Sequence, residues 1–106
     1  MQWIEIKAGT LGGAKMTTTE LIKKILDTTP EGGFKLSDYK KRNRIDRAID
    51  AQEKKASELA VPEGELKLTQ LNLEDDDYET LRQIIKSTKG WATREPFLVD
   101  FLLSFE

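Results

Sequence analysis

A chain of 106 residues, 38% apolar and 34% charged, is sized for a single domain (1–106) around one core, and its formal charge of −2 selects no class of partner. With no cysteine and no histidine it offers no disulfide, thiol nucleophile, histidine-based triad or usual zinc-ligand set. No apolar run approaches the roughly 20 residues that cross a bilayer, and the first residues lack a signal-peptide pattern, so a non-secreted, non-membrane protein is expected.

Residues 2–7 alternate Trp3, Glu5 and Lys7 with Ile4 and Ile6, the period of a half-buried strand. Gly9, Gly12 and Gly13 then read as a loop. Thr17 and Glu20 have the spacing of a capping box, with Met16 and Leu21 as its hydrophobic staple. The helix they open carries Leu21, Ile22, Ile25 and Leu26 on one face and Lys23, Lys24 and Asp27 on the other. It is predicted to end at Thr28-Thr29-Pro30, because proline pushes its predecessor out of the helical region.

Glu31-Gly32-Gly33 is a turn, and Ser37 is a candidate N-cap for a second helix over about 38–59. The apolar stripe of that helix is thin: Ile45, Ala48, Ile49, Gln52, Ala56 and Leu59. Tyr39 lies off it by roughly a third of a turn, which predicts a break or a change of role near Asn43. Val61-Pro62-Glu63-Gly64 has the pattern of a type I turn. Residues 65–69 alternate again and read as the second strand, with its end or a bulge where the phase slips at Leu71 and Leu73. Glu74 to Glu79 opens a third helix with Tyr78, Leu81, Ile84 and Ile85 inward, stopped by Ser87-Thr88-Lys89-Gly90.

Trp91 leads into the last helix, where Thr93 can cap and Pro96 suits the first turn. Phe97, Phe101 and Phe105 form one row along it, Leu98 and Leu102 the next, and Val99 and Leu103 a third, leaving Asp100 and Ser104 for water. That arc is wider than one packing face requires, so the helix is central to the fold or shared with a partner. The expected fold is α+β in the order β-α-α-β-α-α, a two-stranded ribbon packed on helices, with a buried apolar C-terminal helix.

Three constellations bear on chemistry. The stretch Gly9 to Thr17 has the outline of a phosphate loop, but Ala14 stands before Lys15 where glycine belongs, and Met16 follows where a hydroxyl would hold magnesium. Lys40, Lys41, Arg42, Arg44 and Arg47 suggest a nucleic-acid footprint, yet Asp46, Asp50 and Glu53 form a matching acidic ridge, the look of a solvated helix. The acids of 74–79 lack a calcium-loop pattern and suit the positive end of a helix dipole. Acidic mimicry through Asp75, Asp76 and Asp77 has only that charge run behind it. No metal, cofactor or catalytic residue is therefore expected, and the chain reads as no enzyme. Aromatic side chains anchor protein contacts, which makes Trp91, Phe97, Phe101 and Phe105 the candidate partner-binding set, with helix 38–59 as a second, polar surface.

The run Leu71-Asn72-Leu73-Glu74-Asp75-Asp76-Asp77-Tyr78-Glu79-Thr80-Leu81, followed by Ile84-Ile85, Trp91 and Phe97 to Phe101, resembles small uncharacterised phage-encoded proteins. The likeness covers residues 71–105 and implies a viral or prophage origin; the absence of cysteine fits a place in the cytoplasm or within a virion. It implies no residue roles. The resulting expectation is a protein–protein interaction or assembly module, self-associating or bound to another protein, with nucleic-acid binding by the basic helix as the alternative.

Overall fold

The computed structural model describes residues 1–29, 32–62, 66–88 and 95–105. In chain order the elements are β1 (Gln2–Glu5), β2 (Ala8–Leu11), β3 (Ala14–Thr17), α1 (Thr18–Asp27), α2 (Leu36–Ser57), β4 (Gln70–Leu73), α3 (Asp75–Ser87) and α4 (Pro96–Leu103). The strands form two antiparallel pairs, β1 with β4 and β2 with β3, and the helices cover the first pair on one face. The fold is thus α+β, with the N-terminal strand paired to the one that precedes α3, as expected. None of the described helices is long and apolar enough to cross a membrane.

The second strand lies a few residues later than the alternation of 65–69 predicts. In β1–β4, Ile4 stands opposite Leu71 and Gln2 opposite Leu73, and all three apolar side chains are buried. Leu66 and Leu68 are half-buried and pack on the rim of the core. The phase slip therefore marks where pairing begins, because only the Leu71/Leu73 phase aims two leucines at the helices.

The predicted glycine loop is a hairpin. Leu11 pairs with Ala14, so the turn is Gly12-Gly13 alone, at φ 62° and 82°. Two positive φ values in a two-residue turn match the twist of the flanking strands, and glycine takes them without a Cβ penalty. The outline of a phosphate loop is thereby accounted for by a tight turn rather than a wide anion cradle.

Helix α1 begins as read: the Glu20 N–H donates to Thr17 Oγ1 (3.4 Å), with Met16 and Leu21 both buried. Helix α2 starts earlier than Ser37 predicts, because the Asp38 carboxylate accepts from the Lys35 N–H (2.9 Å) and closes the first turn. It then runs unbroken past Asn43. Its off-stripe residues find local work: the Tyr39 ring lies 5.2 Å from Phe34, whose face carries the Arg42 guanidinium at 5.1 Å. The thin stripe suffices, since Ile45 and Ile49 are wholly buried against α1 and α3. Lys23 of α1 bonds Asp50 of α2, and that bond raises the lysine pKa.

Helix α4 belongs to the core of its own chain. Leu98, Phe101 and Phe105 are buried, an apolar contribution of about 1.5–3 kcal/mol each. Pro96 occupies the first turn as predicted, and Leu103 is left 55% exposed. The Glu63-Gly64 half of the predicted type I turn, the Lys89-Gly90 stop, Trp91 and the Thr93 cap lie outside the described residues.

Candidate functional site

The β1–β4 ribbon has two outer edges, and they are treated differently. The Ile6 N–H donates to the Thr69 carbonyl (3.0 Å), so the even-numbered residues of the first strand spend their backbone groups on β4. In an antiparallel pair the alternate residues then direct both N–H and C=O outward. On the β4 side the outward residues are Gln70 and Asn72, and Gln52 of α2 closes the second: Gln52 Nε2 donates to the Asn72 carbonyl (2.6 Å), while the Asn72 N–H donates to Gln52 Oε1 (2.8 Å). A side-chain amide here stands in for a neighbouring strand.

On the β1 side the outward residues are Trp3, Glu5 and Lys7. Lys7 is closed by Thr18, whose N–H donates to the Lys7 carbonyl (3.0 Å) and whose hydroxyl accepts from the Lys7 N–H (2.9 Å). Trp3 and Glu5 have no such partner among the described residues. Their four backbone groups form an open strand edge, a feature that folded proteins usually cover, charge or shorten.

That edge borders a groove of about 440 Å³. The far wall is α4 and the turn after it, which present Phe97, Asp100, Phe101 and Phe105, and Tyr78 of α3 completes the apolar floor. Phe105 stacks on Tyr78 (centroids 5.5 Å apart) and leans on Phe101 (5.1 Å). The floor is held from both ends. Arg82 Nε donates to the Phe105 carbonyl (3.0 Å), and the Gly12 N–H donates to Glu95 Oε2 (2.8 Å), tying the start of α4 to the hairpin turn. Phe97 rests directly on Gly9, where a side chain would collide with its ring. Trp3, 60% exposed, stands at the mouth on the solvent face of the ribbon. The rim is mostly acidic: Glu5 pairs with Lys7 (3.6 Å), and exposed Asp100 has no ion-pair partner among the described residues.

Of the predicted aromatic set, Phe97, Phe101 and Phe105 are brought together here, the last two as buried floor and the first half-buried. Trp91 lies outside the described residues. The basic set is not gathered into one free surface. Arg42 Nη1 donates to the Leu26 (2.6 Å) and Thr28 (3.0 Å) carbonyls and so caps the end of α1. Arg44 pairs with buried Asp77 (3.0 Å). Lys40, Lys41 and Arg47 are exposed. The acid run is also divided, with Asp75 on the N-terminal ammonium (3.0 Å), Asp77 on Arg44, and Glu79 held below the usual carboxylate range by its hydrogen bond from Gln83.

Sequence reasoning missed Trp3 and Glu5 as a pair, and with them Gln52 and Gly9. One signal was present: a tryptophan on the polar phase of an alternating strand is expensive to leave in water. No protein-family model, curated protein or solved structure matches the chain.

Proposed function

We propose that the chain is a non-enzymatic protein-contact module, of a kind that would serve as a structural or accessory part of a phage, and that it meets its partner at the groove between β1 and α4. The observation that carries this reading is the pairing of an open strand edge with an aromatic floor and an exposed tryptophan at one place. The edge and the indole are unfavourable to leave bare, and a protein surface seated over the floor covers both at once. A photo-crosslinking amino acid placed at Trp3 tests it in extract from the native source. Position 3 is expected to give a discrete protein adduct that position 47 does not. Equal, diffuse labelling at both positions would overturn the reading. Light scattering across concentrations then separates a second copy from a different protein.

The alternative, nucleic-acid binding through Lys40, Lys41, Arg42, Arg44 and Arg47, draws support from three exposed cations on one helix. Two of its five residues already serve the fold, which leaves less charge for phosphate.

A further inference from the structure

Resting on that protein-contact reading, we propose that the partner supplies an extended segment that adds to β1 as a third, antiparallel strand, with a basic–apolar–aromatic triad at its centre. The open groups dictate the direction. Trp3 and Glu5 together offer two N–H donors and two carbonyl acceptors. In an antiparallel pair one residue of the newcomer answers both groups of the residue opposite, so two alternate residues satisfy all four. A parallel newcomer needs three alternate residues over a longer span, and this edge is closed at Lys7 by Thr18.

The register dictates the chemistry. Directly opposed residues in an antiparallel pair project to the same face. The middle residue of the triad stands opposite Ile4 and points, like Ile4, inward to the floor of Phe101, Phe105 and Tyr78, so it is apolar. Its two neighbours point outward, one beside Glu5 and one beside Trp3. The first is basic, because Glu5 and Asp100 make the rim acidic and only Lys7 offsets them. The second is aromatic, a flat side chain that covers the exposed indole. A second copy of this chain fits less well. Pairing β1 with itself about Ile4 sets Trp3 opposite Glu5 and draws two acidic rims together, with no added cation between them.

The test uses the whole chain and a display library of linear peptides about ten residues long. Enriched peptides are expected to share the basic–apolar–aromatic triad without proline. A synthetic enriched peptide, N-methylated in turn at each triad residue, should lose about tenfold in affinity at the first and third positions and little at the middle one, whose N–H points away from β1. Glu5→Pro should weaken the parent peptide about tenfold as well. It removes an outward N–H and leaves the β1–β4 bonds of Ile4 and Ile6 in place, and the methylation pattern needs no protein variant should this one fold poorly. Binding that ignores N-methylation yet falls on Trp3→Ser and Asp100→Lys would overturn strand addition while the contact reading stands. No enrichment, or binding indifferent to Trp3, Glu5 and Asp100 alike, would overturn both. A dimer abolished by Glu5→Pro would assign the edge to a second copy and overturn the proposed partner chemistry.

Discussion

Gly9→Ala is the sharpest test of how α4 is seated. A β-carbon at position 9 would come within 2.9 Å of the Phe97 Cβ and nearer still to its ring, so α4 must shift off β2 or Phe97 must leave its rotamer. Overpacking of this kind costs about 1–3 kcal/mol. Gly9 is not among the glycines with positive φ, so the backbone admits alanine, and the reduced freedom of the unfolded chain returns about 0.4–1 kcal/mol. The net expectation is a loss of about 1–2 kcal/mol, or roughly 4–16 °C in Tm for a domain of this size. The sign should reverse once the ring is gone: in a Phe97→Ala background, Gly9→Ala should be neutral or stabilising by about 0.5 kcal/mol. Urea unfolding of the four proteins in this cycle measures both quantities. Equal destabilisation by Gly9→Ala with and without the Phe97 ring would refute the packing argument, and with it the position of the groove wall.

Gln52→Leu leaves the Asn72 N–H and C=O without their partner and should cost about 1–3 kcal/mol in urea unfolding. It should also speed aggregation on storage, since the second edge of the ribbon is then open at Asn72 as well as at Gln70. The Lys23 pKa is raised above 10.5, first by its bond to Asp50, so the stabilisation is fully present below the unfolded value and lost as pH rises through the folded one. Urea midpoints of wild type and Lys23→Met should therefore converge above about pH 10.5, and a gap still growing there would contradict the assignment. Arg44→Glu should destabilise the fold by setting like charges together at Asp77, whereas Lys40→Glu, Lys41→Glu and Arg47→Glu should not, as thermal melts will register. A nucleic-acid role is therefore tested at those three positions, where binding that persists unchanged after reversal and shows no steep salt dependence would dispose of it.

Most of the fold was legible because the local signals agree with one another. The Thr17–Glu20 cap, the Met16/Leu21 staple and the α1 stripe are all local in sequence, and all appear in place. The apolar arc of α4 likewise announced a buried helix, and the helix proved to fill its own core. What was misplaced depends on distant partners. Two leucine pairs of opposite phase, Leu66/Leu68 and Leu71/Leu73, are equally good strand signals alone, and only Ile4 across the ribbon selects the second. Gly12-Gly13 reads as a loop until Ala8 and Thr17 are known to face each other. Arg42 reads as a free cation until the end of α1 arrives beneath it.

The site was illegible for a deeper reason, because it consists of backbone groups left over after pairing. Which residues of a strand face outward follows from register, and register here is set by residues 69–73, far along the chain. The sequence shows a tryptophan on the wrong side of an amphipathic strand, and the structure adds the asymmetry that gives this meaning. A ribbon of two strands has two exposed edges, and α2 devotes a glutamine to closing one of them at Asn72. The other edge could have been sealed at equally small cost, since Thr18 does so at Lys7, one step beyond Glu5. That it stays open at Trp3 and Glu5, the two residues flanking Ile4 where Ile4 meets the aromatic floor, makes the edge and the floor parts of a single surface.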